Sequence, residues 1–225
     1  MTRTDPFPTA PAPRTRARLA TTAIDALHLL ALSLWIATLV AVGAAAMGVF
    51  ATLPRIGVEL PRLAEYVQSL DATGDGGAAA HARQMGILAG GMVMRPIFHV
   101  AAWAELTLAA ITVVTLACQL LFLRGRWTWH CNGNWLRAAL LVSCAWLATL
   151  HALDRGPEME DLLDRAWTSA QEGRFADAND ARALFDEAHL RADRRFRARL
   201  FALLVALAVT GAASAPDPRS ARTAA

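Results

Sequence analysis

Long apolar runs separated by short polar segments dominate the chain, and four of them are candidates for membrane-crossing helices. They cover residues 26–52, 91–123, 135–153 and 199–215. A helix needs about 20 mostly apolar residues to cross the roughly 30 Å hydrocarbon core of a bilayer. The pattern therefore predicts an all-α integral membrane protein, a four-helix bundle with a helical extramembrane insert, 157–198, between helices three and four.

The second apolar run carries three polar side chains, Arg95, His99 and Glu105. With its flanking residues this run is about 55 Å long as a helix, so part of it must project from the lipid. Two membrane registers are open. If lipid starts near Val100, Arg95 and His99 lie at the headgroups and Glu105 lies just inside. If lipid starts near Gly91, Glu105 lies close to the midplane.

Glu105 is the only carboxyl that lies well within a span in either register. An ionised carboxylate in hydrocarbon costs several kcal/mol unless a cation is paired with it. Arg95 is about 15 Å away along the same helix, and the other spans carry no arginine at mid-depth. We therefore expect Glu105 to be protonated and to hydrogen-bond to a neighbouring helix, for example at Ser143. Together with His99, these residues form the candidate intramembrane polar site.

Small and helix-breaking residues predict how the helices pack and where one of them ends. Gly86 and Gly90 let another helix approach closely, and the small-residue stretch Gly43–Gly48 of helix one is the expected partner. The pair Gly156-Pro157 predicts the end of helix three, because proline has no backbone N–H to continue the ladder.

Outside the spans, the chain divides into tails and an insert. Residues 1–20 form a basic tail with too little apolar surface to fold, and residues 216–225 form a second tail expected to be disordered. Residues 21–215 are then a single membrane domain. Within its insert we expect one helix over 157–172 and another that begins near residue 180 and runs on into helix four.

Composition agrees with a membrane protein: 55% of the 225 residues are hydrophobic, 18% are charged, and the mean hydropathy is +0.33. The net charge of +3 comes from arginines that flank apolar runs, where they suit lipid headgroups better than nucleic acid. Arginines in the short segments near both termini favour cytoplasmic termini, although those just before helix four oppose it. We expect a multi-pass protein of the cell (inner) membrane, whose partners are the lipid bilayer and a second copy or another membrane protein.

Four histidines lie on or beside the spans, namely His28, His99, His151 and His189. Imidazoles on facing helices of a bundle can bind copper, zinc or haem b, so a metal or haem site is the alternative function. Histidines are also common at helix ends, and no His-x-x-His or Met-rich pattern reinforces this set. We therefore expect no cofactor.

Signatures of catalysis are absent from the sequence, which has no Gly-x-Ser-x-Gly, no His-Glu-x-x-His and no Gly-rich phosphate loop. We expect no enzyme. The remaining reading is a transport component or a stress-tolerance accessory protein of the membrane.

Three segments, 28–36 with 50–54, 156–162 and 185–189, resemble the transmembrane protein 205-like family, largely a domain of unknown function. The first is like the family's opening helix, the second like the turn after helix three, and the third like its Phe-x-x-x-His entry to helix four. The resemblance implies a four-helix membrane protein, with a eukaryotic relative linked to platinum-drug tolerance. It supplies no catalytic residue.

Overall fold

The computed structural model describes residues 13–55, 60–71, 78–122 and 132–214, which are almost entirely helical and contain no strand. The all-α prediction is confirmed for this part of the chain. The helices are α1 (Pro13–Thr52), α2 (Ala64–Asp71), α3 (Ala78–Phe122), α4 (Asn132–Leu150), α5 (Gly156–Gln171) and α6 (Phe175–Ser214). Short 3₁₀ turns at Leu53–Arg55 and Pro61–Leu63 follow α1 and precede α2, and a π turn at His151–Arg155 joins α4 to α5.

Three helical segments are long and apolar enough to cross a membrane: Leu19–Arg55, Met85–Leu121 and Asn134–Gln171. They cover the first three predicted spans, except for the last two residues of 91–123. The fourth predicted span, 199–215, is not among them, because α6 becomes apolar only after an arginine-rich stretch and is described only to Ser214. The structure thus supports a membrane protein with three such helices.

The predicted end of helix three at Gly156-Pro157 is wrong. The helix continues through the π turn, in which the backbone N–H of Gly156 donates to the carbonyl oxygen of His151. Pro157 then lies in the first turn of α5, where a residue without an N–H is tolerated. The predicted helix over 157–172 is confirmed within one residue at each end. Helix α6 continues without a break into the predicted fourth span, as expected, but it begins at Phe175 rather than near residue 180.

The main core lies between α1, α3, α4 and α6 and is built from one buried face of each. Its buried members are Leu32, Trp35, Ile36, Leu39, Ala109, Leu116, Leu141, Cys144, Ala148, Leu203 and Ala206. Helices α1 and α3 run antiparallel, because His28 contacts Thr115 near one end of the pair while Phe50 adjoins Gly90 near the other.

A second, smaller core joins α2 to the turn between α5 and α6. Tyr66 of α2 is buried there with Leu63, Ala170 and Ala178, and its ring lies 5.9 Å from that of Phe175. The polar segments before α3 and after α4 therefore pack together at the same end of the molecule.

The glycines of α3 contact the end of helix one rather than its small-residue stretch. A Cβ at Gly86 would lie 2.5 Å from the backbone of Pro54, and a Cβ at Gly90 would lie 2.6 Å from the Phe50 ring. The predicted partner, Gly43–Gly48, is wrong. A Cβ at Gly43 would lie 3.8 Å from the Phe196 ring of α6, and a Cβ at Gly48 would meet nothing within 4 Å. The chain needs glycine here because Phe50 and Pro54 leave no room for a side chain on this face of α3.

The amino-terminal tail is also shorter than expected. Helix α1 begins at Pro13, so residues 13–20, predicted to be disordered, are helical. Proline suits the first turn of a helix, where its missing N–H has no partner to lose. The rest of that tail and the tail 216–225 lie outside the described residues.

Candidate functional site

A buried ion pair joins α3 to α6. The guanidinium Nη2 of Arg199 lies 2.8 Å from Oε2 of Glu105, and the two side chains are only 5% and 8% exposed. The expectation that no arginine reaches Glu105 is therefore wrong. The geometry supports an ionised, paired carboxylate rather than the protonated acid inferred from the sequence.

Arg199 points inward because of its place on α6. Arg199, Leu203, Ala206 and Thr210 are all buried, and they recur at intervals of three and four residues, which is one face of a helix. Sequence reasoning placed Arg199 at the headgroups with Arg197, whose exposed side chain does pair with Asp193. The periodicity of this face is the signal that could have found the pair.

Other helices complete the surroundings of the pair. The indole of Trp35 on α1 lies beside the Glu105 carboxyl, and the Cys144 thiol on α4 contacts the carbonyl oxygen of Arg199 at 3.7 Å. The predicted partner Ser143 is exposed. The buried positions of α4 lie on the face that carries Cys144. Ser143 directly precedes Cys144 in the sequence, so its side chain points about 100° away from that face.

A second buried polar group lies nearer the ends of α1, α3 and α4. Nδ1 of His28 lies 2.9 Å from Oγ1 of Thr115, and both residues are buried. One turn further along, the Gln119 amide donates to Asp25 at 3.0 Å and accepts a hydrogen bond from the Arg137 guanidinium. Because one amide both donates and accepts, Gln119 links an acid on α1 to a base on α4.

An apolar layer separates the two polar groups. Its members are Leu32, Ala109, Leu141 and Leu203, each buried and each on a different helix. On α3, Ala109 lies between Glu105 and Thr112, which are seven residues, or about 10 Å, apart. The interior that α1, α3, α4 and α6 share therefore alternates along the helices: an ion pair, an apolar layer, then the group around His28.

Two members of the predicted polar site lie elsewhere. Arg95 donates two hydrogen bonds to Asp164 of α5, of 2.7 and 2.8 Å, and lies 3.7 Å from Glu160. Its side chain is 42% exposed, and His99 is exposed as well. Of the predicted site, only Glu105 is in the core, and Arg95 instead ties α3 to α5.

The described ranges contain no group of three or more His, Cys, Asp or Glu that could hold a metal ion. His28 is buried, His151 lies in the π turn near Arg199, and His99 and His189 are exposed. The ring of His189 stacks on that of Phe185 at 5.8 Å.

The fold and the buried charges define an all-helical protein with membrane-length apolar helices and an ionic interior. No family model, curated protein or solved structure matches the chain.

Proposed function

We propose that this is an integral membrane protein with four membrane-crossing helices that acts as a transport component for a small ion, with Glu105 and Arg199 as its working pair. The observation that carries the proposal is the burial of both charges in the core that α1, α3, α4 and α6 share. Ionisable residues inside membrane helices are expensive to bury and commonly mark ion pathways.

The fourth crossing is supported by the packing of α6. Leu203 and Ala206 belong to the same core as residues of the three apolar helices, so this part of α6 lies at their depth. The stretch from Leu200 to Ser214 spans about 22 Å as a helix, somewhat less than a bilayer core. The exposed Arg197 can extend to the headgroups and make up the difference.

The depth of Glu105 supports one of the two membrane registers. Gln119 is fourteen residues further along α3, or about 21 Å, and lies near the helix end that precedes Arg124 and Arg126. If that end, at Phe122, marks one face of a core about 30 Å thick, Glu105 lies about 25 Å across it and close to the other face. This agrees with lipid that starts near Val100.

Stability alone gives little reason to retain such a pair. Removing two charges from water costs free energy that their attraction repays only partly, and apolar substitutes are often at least as stable. An interior that keeps Glu105 and Arg199 is therefore better explained by a change in their charge or pairing during function.

Several further assignments belong to the proposal. We place the protein in the cell membrane with both termini cytoplasmic, and we propose membership of the transmembrane protein 205-like family on the motifs quoted above. An accessory role in stress tolerance would fit the same site. A haem or copper function is not proposed, because the described histidines do not converge.

Currents recorded from proteoliposomes on a solid-supported membrane test the transport role. We expect a current after a jump in at least one of H⁺, Na⁺, K⁺ or Cl⁻. The double variant E105Q/R199Q should lose it, because it removes both charges and leaves two amides that can hydrogen-bond. The control R165Q, which breaks an exposed ion pair with Asp161, should keep it. Silence in all four jumps would refute transport of these ions.

A further inference from the structure

We propose that the ion is the proton, and that His28 and Glu105 are its two binding sites, one on each side of the apolar layer. This inference rests on the transport role proposed above and names its substrate. It adds His28, which the transport role does not require.

The contact with Thr115 determines which nitrogen of His28 is available. The Thr115 hydroxyl donates its single proton to backbone carbonyls of its own helix, at 2.8 Å to Ile111 and 3.0 Å to Thr112. With that proton on these carbonyls, the Thr115 oxygen accepts a hydrogen bond from Nδ1 of His28, and this is the tautomer that the proposal assigns. The lone pair of a neutral His28 is then on Nε2.

That Nε2 atom is fully buried and has no hydrogen-bond partner among the described residues. A buried acceptor left unsatisfied is costly, so its retention needs a reason. A proton can bind at the Nε2 lone pair and form an imidazolium, and it leaves from the same nitrogen because Nδ1–H stays bonded to Thr115. No bond other than N–H forms or breaks.

The charged groups around His28 make its protonation dependent on their pairing. Arg137 faces it from α4 and opposes a second positive charge, whereas Asp25 lies one turn away on α1 and favours it. Gln119 on α3 bonds to both of these residues, so a shift of its amide would change how strongly each acts on His28.

Glu105 is the second site, on the other side of the layer. Arg199 on α6 pairs with it, Trp35 on α1 lies beside it, and Arg195 and His151 lie near the same arginine. A proton that binds the carboxylate neutralises it and removes the partner of Arg199. Proton binding thus removes the ion pair between α3 and α6, which couples occupancy of the site to the relative position of these two helices.

The chemistry of the interior favours a proton over other ions. A metal cation needs several oxygen ligands, and the described residues hold no cluster that could supply them with carboxylates. An anion needs uncompensated positive charge, but Arg199 faces Glu105 and Arg137 faces Asp25. A proton needs only one lone pair at each site.

Ala109 has the smallest of the four side chains that form the apolar layer. Protons must pass this level to move between Glu105 and His28, and a larger apolar side chain should exclude the transient water that carries them. A polar side chain of similar size should admit it. The pair A109L and A109S therefore tests the path at a position that belongs to neither binding site.

The experiment compares currents from pH jumps with those from Na⁺, K⁺ and Cl⁻ jumps in the same proteoliposomes. We expect a pH-jump current that falls at least tenfold in H28Q, in E105Q and in A109L, and that persists in A109S. The control H189Q, an exposed histidine on α6, should match the unaltered protein. Nitrogen-15 NMR of labelled protein should show His28 protonated at Nδ1, and T115V, but not T115S, should abolish that preference.

The outcomes separate the two proposals. Currents after Na⁺, K⁺ or Cl⁻ jumps with none after a pH jump would overturn the proton and leave transport standing. Silence in every jump would overturn both. A full pH-jump current in H28Q, or a His28 protonated at Nε2, would remove His28 from the path, and this NMR readout does not depend on whether the variants fold.

Discussion

Tyr66 of α2 donates a 3.0 Å hydrogen bond to the side-chain oxygen of Asn179 on α6, so residues 113 positions apart meet at one end of the molecule. The contact joins the segment that follows helix one to the hairpin of α5 and α6. In a protein whose apolar helices cross a bilayer, two segments in contact must lie on the same side of it.

We predict that cysteines introduced at Glu65 and at Glu187 react with a membrane-impermeant maleimide from the same side. Both positions are exposed and lie on the two segments joined by Tyr66. Compartment-sensitive reporters fused to the two chain termini should show that both termini lie in the cytoplasm, on the side of the membrane opposite to residues 65 and 187. Labelling of one cysteine but not the other in intact cells would contradict the shared side.

We predict that Gly86→Ala destabilises the protein by about 1–3 kcal/mol, because its Cβ would overlap backbone atoms of Pro54 that cannot move aside. Gly48→Ala is the matched control. It meets nothing within 4 Å and should be neutral or stabilising by up to about 1 kcal/mol, since alanine favours helix. Thermal unfolding in detergent measures both. Equal midpoints for the two variants would show that α3 does not approach Pro54.

The two arginine pairs of α3 should differ widely in energy. Arg95→Gln breaks an exposed pair and should cost about 0.2–1 kcal/mol, with less effect at high salt. Arg199→Gln leaves Glu105 buried without a cation and should cost about 3–5 kcal/mol. Unfolding at low and high salt measures the contrast. A large, salt-independent loss for Arg95→Gln would reverse the assignment.

Infrared difference spectra at neutral pH should assign a carboxylate, rather than a protonated acid, to Glu105. The reason is the 2.8 Å contact with Arg199, which stabilises the charged form of both partners. The carboxylate signal should be lost in Glu105→Gln and retained in the exposed control Glu65→Gln. A protonated-carboxyl band that disappears with Glu105 would restore the expectation drawn from the sequence.

Purified protein should carry no haem and no stoichiometric transition metal, because the described histidines do not converge on one site. Absorption spectra and elemental analysis check this. A Soret band that is lost on replacing His99 or His151 would overturn the prediction.

The residues of the polar sites differ in whether the sequence predicts their contacts. Glu105 was found because a carboxyl in an apolar run is conspicuous by itself. Arg199 was missed because it lies at the boundary between the basic and apolar halves of α6, and the periodic face of Leu203, Ala206 and Thr210 has to be extended back by one turn to include it. Ser143 was predicted instead of Cys144 because the sequence of α4 does not show how that helix is rotated relative to its neighbours. His28 was noticed as a histidine, but its partner on α3 is 87 residues away.

The sequence by itself determined that the protein is helical and carries helices of membrane length. Runs of apolar residues are local, bilayer thickness is a fixed length, and the chain therefore shows three membrane-length helices and an uninterrupted α6 without reference to any contact. Only the tertiary structure decided which residues meet: Glu105 with Arg199, His28 with Thr115, Gly86 with Pro54. Each of these depends on the rotation and height of one helix against another, which are determined by packing across the core and leave no trace in the residues that flank them.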